Sequence, residues 1–329
     1  MSTSPTAATI ETRLFGNTGM RVSVLGWGAA EIGYENVPGQ TVDSLLSLAL
    51  DQGLNVVDTA ACYMDSEEKL GRALREKRQR CFLFTKCGQE PPIPPAGLLT
   101  RACRKLWRPI GRALGQTLAD WDPRLLERSI HRSLRRLQTD WIDLIQLHSC
   151  SEETLRRGAV IEVLERARQA GKVRFIGYSG DGAPALYAVQ CGHFDSLQTS
   201  VNVADQQAIE LTLPLAAERG MGVIAKRPVA NAVWKYSSKP ENSYHHVYWE
   251  RARELRYDFF EDQARAVETA LRFTLSAPGV HTAIVGTTRP EHWRKNAQYA
   301  AAGPLDPLQF DSIRNRWKQV ARADWAGQQ

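Results

Sequence analysis

The chain has 329 residues, 43% of them hydrophobic, and a formal net charge of +6. It is long enough to bury a large core, and barrels reach this length as one domain. The mild basic excess suits anionic ligands, and with no RNA- or DNA-binding signature it gives no ground for a nucleic-acid partner.

Cys62, Cys81, Cys87, Cys103, Cys150 and Cys191 form no CxxC pair and no zinc-ligand spacing, so no metal is expected. Residues 1–9 lack an apolar signal-peptide core, and no apolar run approaches a membrane span. A soluble, cytoplasmic setting is the expectation. Residues 1–11 read as a disordered start.

Arg13-Leu14-Phe15 and Arg21-Val22-Ser23-Val24-Leu25 flank Gly16-Asn17-Thr18-Gly19, the pattern of a β-hairpin. Residues 41–52 read as a helix, followed by a strand ending at Asp58 and a helix from Ser66 through Arg75, whose Glu67 and Glu68 suit a helix start. The strand ending at Lys86 comes next. Pro91-Pro92-Ile93-Pro94-Pro95 then opens an insertion over 89–121, in which residues 97–115 form a basic amphipathic helix interrupted at Pro109.

Asp122-Pro123 starts another helix, reaching about Leu137. The strand to His148 precedes a helix over 159–170 that stops at Gly171. Four further strand candidates lie at 173–178, 196–202, 221–228 and 281–287, with helices between most of them. Strand–helix alternation through eight units predicts a (β/α)8 TIM barrel, an α/β fold, across 1–329 as one domain. A doubly wound sheet would need a glycine fingerprint after the first strand. Gly26-Trp27-Gly28-Ala29-Ala30-Glu31 puts Glu31 where the third glycine belongs.

Asp58, Tyr63, Lys86 and His148 stand at or just beyond the downstream ends of successive strands, the face where barrel enzymes keep their chemistry. Reduction of a carbonyl needs a proton donor at the nascent alkoxide. A free tyrosine, with a pKa of about 10, is poorly matched to neutral pH. Lys86 on a neighbouring strand would lower it, Asp58 would accompany the buried lysine, and His148 would orient the carbonyl. Taken singly, each of these residues is more often structural; four together at strand ends reverse the balance.

With these residues in view, the chain resembles the aldo-keto reductase superfamily. The resemblance rests on Val57 to Tyr63, Phe84-Thr85-Lys86, the strand from Ile142 to His148, Ile176-Gly177-Tyr178-Ser179, Gln198, and Ile284 to His292 running on to Asn296. It implies a carbonyl reductase, reversible between alcohol and aldehyde or ketone. The cofactor implied is NADPH/NADP, with NADH as the alternative, and Tyr63 would be the general acid. Gly28 and Ala29 would lie under the nicotinamide ribose beside Asp58, and Ser179 and Gln198 would bind the carboxamide. Gly286, Thr287, Thr288, Arg289, His292 and Asn296 would hold the adenosine phosphate and adenine, at a helix start near Pro290 that suits an anion. Arg289 is the expected partner of a 2′-phosphate.

Two departures stand out. Gly180 replaces an asparagine frequent in the family. Ala225-Lys226-Arg227-Pro228 lacks the aromatic that many members stack on the nicotinamide, which leaves the Lys226 stem to cover the ring and Arg227 to reach the pyrophosphate. These departures leave open a nucleotide-binding regulatory or redox-sensing subunit with incidental turnover; a barrel hydrolase or lyase finds no nucleophile–base pair.

The 97–115 helix reads first as a docked element, then as a lid, and last as a membrane contact. The aromatics between Asn231 and Asp262 would either line a pocket for an aromatic carbonyl or pack an irregular loop. The native substrate and the oligomeric partner are not legible in the sequence.

Overall fold

The computed structural model describes residues 10–91, 118–119 and 121–328. Eight parallel strands close into one barrel: β1 (Leu25–Gly28), β2 (Val56–Asp58), β3 (Phe82–Cys87), β4 (Ile142–His148), β5 (Val173–Ser179), β6 (Ser196–Ser200), β7 (Gly222–Lys226) and β8 (Thr282–Gly286). Each pairs with its sequence neighbours, and β8 pairs with β1 to seal the ring. The alternation read from the sequence is therefore a (β/α)8 barrel.

The helices α1 (Gly39–Asp51), α2 (Ser66–Leu74), α3 (Pro123–Leu137), α4 (Ala159–Gln169), α5 (Gly182–Gln190), α6 (Leu213–Glu218), α7 (Gln263–Ser276) and α8 (Pro290–Ala301) follow the strands in turn, and α9 (Pro307–Val320) lies beyond them. Their apolar faces and the outer faces of the strands form the main core, which includes Leu45, Leu70, Leu126, Ile145, Leu164 and Trp293. Asp122 caps α3, its carboxylate accepting from the N–H groups of Arg124 at 2.8 Å and Leu125 at 3.3 Å.

The N-terminal hairpin pairs Thr12–Leu14 with Arg21–Ser23 around a single 3-10 turn, Gly16–Thr18. Phe15, Met20 and Val22 enter the foot of the barrel beside Val56, Phe84, Leu144 and Ile224, with the Phe15 and Phe84 rings stacked at 5.7 Å. The hairpin plugs the end opposite the strand C-termini. Ile10 corrects the expectation of a disordered start at residues 10–11: it is 3% exposed, and its N–H donates to the Gln52 carbonyl.

In the insertion, Gln89–Glu90 and Leu118–Ala119 pair as a short antiparallel ribbon. The expected 97–115 helix lies outside the described residues.

Candidate active site

The structure brings the four predicted residues together at the C-terminal ends of β2, β3 and β4. Lys86 Nζ donates to Asp58 Oδ1 at 2.5 Å and to the Thr59 carbonyl at 2.9 Å. Gln198 on β6 reaches across the barrel and donates from Nε2 to Asp58 Oδ2 at 3.2 Å. The loop after β2 is stitched to β3, with Thr59 N–H donating to Phe84 O and Ala61 N–H to Lys86 O. It turns at Tyr63, whose carbonyl accepts from Ser66 N–H at the start of α2. The Tyr63 ring centre lies 5.2 Å from Lys86 Nζ and 5.8 Å from the His148 ring, edge to face.

The residues directly after Tyr63, His148 and Lys226 are Met64, Ser149 and Arg227, with φ of +53°, +60° and +55°. Non-glycine residues rarely hold this left-handed conformation, and such strain gathers at functional sites. Three strand exits at one end of the barrel are turned by it.

Burial pushes Asp58 upward, while the Lys86 ammonium and the Gln198 amide pull it back. His148 is driven well below its ordinary range by burial and then by Lys86, Lys226 and Arg227, so the imidazole is neutral. Lys86 is expected from the sequence to lower the Tyr63 pKa, and burial acts in the opposite direction. Burial holds the phenol well above its usual value, and Cys62 and Asp58 add to the rise. The ammonium is directed at Asp58 and Thr59 and meets only the ring of Tyr63. The site therefore presents a firmly protonated phenol and a neutral imidazole.

Three residues escaped the sequence reading. Tyr34 ends a short helix after β1, and its ring stands 5.8 Å from Tyr63; no motif marks it. Glu67 is 1% exposed and accepts from Thr85 Oγ at 2.9 Å and Arg136 Nη1 at 3.4 Å. Ser66-Glu67-Glu68 signalled only a helix start. Asp181, two residues beyond Ser179, is 2% exposed and accepts from Thr199 Oγ, Ser200 N–H and Lys226 Nζ at 2.8, 2.6 and 2.8 Å.

Residues 24–318 match the family model of the aldo/keto reductase family. The chain is an aldo-keto reductase. An uncharacterised oxidoreductase of Bacillus subtilis, YqkF, is 27% identical over 323 residues, covering 93% of this chain and 96% of the relative. D-threo-aldose 1-dehydrogenase of a Pseudomonas species is 28% identical, covering 91% and 93%. The crystal structure of PA4992, a putative aldo-keto reductase of Pseudomonas aeruginosa, is 27% identical with a TM-score of 0.68, covering 89% and 96%. Membership makes the chain an NAD(P)H-dependent oxidoreductase acting on small carbonyl compounds. No helix among the described residues is long and apolar enough to cross a membrane.

The residues expected to hold the nicotinamide cofactor of this aldo-keto reductase fall into two groups. Gly286, Gly28 and Asp58 are in register on adjacent strands, as are His148, Ser179 and Gln198. Ala29 follows Gly28, its N–H on the Asp58 carbonyl. Gln198 Oε1 is buried without a hydrogen-bond partner among the described residues, an orphaned acceptor suited to a carboxamide N–H. Gly180 has a local cause: a Cβ there would lie 2.5 Å from the Tyr178 hydroxyl, which is held on the Cys150 carbonyl.

The second group lines the rim between β8 and α8. Arg289 precedes α8, whose first-turn N–H groups have no side-chain cap, with Pro290 at its start. His292 is exposed and Asn296 half-buried, one turn apart on α8. Thr287 Oγ accepts from Arg289 N–H, and Thr288 Oγ donates to Glu35 at 3.1 Å. The Glu31 carboxylate stands over Gly286, where a Cβ would lie 2.2 Å from Oε1. Burial raises Glu31 to about 7, and Glu35 adds to the rise.

Lys226 and Arg227 are already engaged. Lys226 is held by Asp181, while Arg227 donates to Ser200 Oγ at 3.0 Å, Tyr244 OH at 2.7 Å and the Gln328 carbonyl at 2.7 Å. The carbonyl of Pro228 accepts from Thr274 Oγ. Of the aromatics between Asn231 and Asp262, Tyr248 is fully buried, Trp234 stacks on Phe260 and Trp249 donates to the Tyr236 carbonyl, which makes them packing. Tyr244 alone is exposed at 45%.

Proposed function

We propose that the chain interconverts a small aldehyde or ketone and its alcohol, with Tyr63 as general acid in reduction and general base in oxidation. The carrying observation is the Tyr63 ring at the barrel mouth, its centre 5.2 Å from Lys86 Nζ of the Lys86–Asp58 pair and 5.8 Å from the ring of a neutral His148. A bound nicotinamide supplies or accepts the hydride. The protein's own part is to place donors where charge develops. Tyr63 gives its proton to the oxygen that becomes the alcohol, and His148 donates a hydrogen bond to the same oxygen.

Lys86, fixed by Asp58, offers its charge to the phenolate left behind, which favours proton release during the step and not before it. Gln198 and Ser179 are the residues proposed to hold the carboxamide, with Gly28, Ala29 and the 286–296 segment around the rest of the dinucleotide. Tyr34 and Tyr244 give the mouth aromatic walls, which support a flat or aromatic carbonyl substrate. The relative named D-threo-aldose 1-dehydrogenase supports hydroxylated substrates and the oxidative direction as further entries in the assay.

The test couples turnover to binding. NADPH and NADH oxidation is followed with aromatic, aliphatic and sugar aldehydes, and the reverse reaction with alcohols, for wild type and Tyr63→Phe; both dinucleotides are titrated onto both proteins. Turnover that collapses by about 10² or more in the variant, with binding retained, is expected, because removal of a general acid costs on that order. Tight binding without turnover in wild type would instead favour a nucleotide-binding regulatory subunit. Failure to bind either dinucleotide would sink both readings.

A further inference from the structure

Cys62, immediately before Tyr63, is 1% exposed. Its sulfur lies 3.4 Å from His148 Nδ1, within hydrogen-bond reach of a thiol. A neutral imidazole carries one N–H and one bare nitrogen, and the bond made by one nitrogen decides what the other offers. A thiol is a weak donor but a weaker acceptor, whereas a bare imidazole nitrogen is a good acceptor. The favoured arrangement is therefore S–H donating to Nδ1. No protein group among the described residues bonds Nε2.

We infer that Cys62 is a positioning residue whose thiol selects the His148 tautomer with its proton on Nε2, so that the imidazole meets the substrate oxygen as a donor. The inference rests on the proposed carbonyl chemistry. In the opposite tautomer the nitrogen facing the substrate would bring a lone pair toward a developing oxyanion and repel it. Orientation of an imidazole from behind is familiar where histidine binds metal, and the logic carries to a carbonyl oxygen. The protonation states agree with the arrangement. Burial pushes the Cys62 thiol up to about 12, so the proton stays on sulfur at neutral pH, and His148 stays neutral for the reasons given above.

Cys62 is consequently a fixed donor and not a redox group. Its side chain is buried, and the Lys86 ammonium does not overcome the effect of burial.

The test reads the tautomer directly. Protein labelled with 15N-histidine, without nucleotide or substrate, is compared as wild type, Cys62→Ser and Cys62→Ala, with the His148 signals assigned from His148→Gln. Wild type and Cys62→Ser are expected to show a protonated Nε2 and a bare Nδ1. Cys62→Ala is expected to show averaged shifts, with kcat lowered on the order of tenfold. That is less than the 10²–10³ lost when an oxyanion donor is removed outright. Dinucleotide Kd should not move, and serine should restore kcat.

A wild-type spectrum with the proton on Nδ1 would overturn the inference, as would shifts and kcat unchanged in Cys62→Ala. The nitrogen shifts need neither cofactor nor turnover, so this failure is distinguishable from failure of the proposed activity.

Discussion

Lys86 is 2% exposed, and its ammonium is matched by one carboxylate oxygen and one carbonyl. Removing one member of such a pair costs more than the pair itself contributes, because the survivor is left charged and buried. Lys86→Met is therefore expected to destabilise the fold by about 3–5 kcal/mol in urea titration, with Asp58 pushed still further up. The double variant with Asp58→Asn should recover part of the loss, and an additive result would show that the two residues are not coupled. Asp205 gives a second prediction. It is 1% exposed, and burial with the nearby Asp181 raises it to about 7 against the pull of Arg251 and Tyr248. Between an unfolded value of about 4 and that folded value, the folded state holds the extra proton. Stability should therefore fall as pH rises through this window, by up to about 1.4 kcal/mol per unit, and level off above it. Asp205→Asn should remove that component from the pH profile of unfolding, and an unchanged profile would place Asp205 in the ordinary carboxylate range. Asp58, Tyr63, Lys86 and His148 were legible because each stands at or just beyond a strand end that the apolar pattern marks. Glu67–Arg136 and Asp181–Lys226 were not, since their pairing depends on which helices and strands meet in space.

At the scale of elements, α2 links the site to the outer shell. Ser66 at its start donates from Oγ to the Ala29 carbonyl at 2.7 Å and lies 2.9 Å from Thr59 Oγ. Its other end meets α3 closely: a Cβ on Gly71 would sit 2.3 Å from the Arg136 carbonyl. Gly71→Ala would push the two helices apart and loosen the Arg136 contacts to Glu67 and to the Ala61 carbonyl. Helix propensity favours alanine here by about 1 kcal/mol, so any loss reports the clash. A net destabilisation of about 1–3 kcal/mol is expected, in the range for overpacking, together with a lower kcat because the Tyr63 turn shifts with α2. A variant as stable and active as wild type would mean that the helices separate freely. Strand and helix positions were readable to within a residue or two, since the apolar periodicities and the signals at Asp122-Pro123 and Gly171 act locally. Helix contact distances have no such local signature, and neither does the ribbon joining Gln89–Glu90 to Leu118–Ala119.

For the whole molecule, eight alternating units leave few ways to bury both faces of a parallel sheet, and closure into a barrel is the solution without edges. What the pattern could not give is how the ends of the chain finish it. The hairpin fills the foot with Phe15, and the last described residues fasten the loops beyond β6 and β7. Trp325 is 4% exposed, packs 5.2 Å from Trp317, and has the Arg251 and Arg322 guanidinium groups each 5.3 Å from its ring centre. Beyond it, Arg251 donates to the Ala326 carbonyl and Arg227 to that of Gln328, so one aromatic anchor sets where the buried Arg251 and the half-buried Arg227 find their acceptors. Trp325→Ala removes that anchor and opens a cavity beside Trp317, in a separate cluster of buried residues that also holds Tyr257 and Ile313. A loss of about 3–5 kcal/mol in urea unfolding is expected, as for other large aromatic truncations. Ending the chain at Val320 should cost at least as much, because Arg227 and Arg251 then lose their carbonyl partners too. If Trp325→Ala instead unfolds at the wild-type midpoint, the segment after α9 contributes nothing to the packed barrel, and the Arg227 contact to Gln328 would carry no weight at the site.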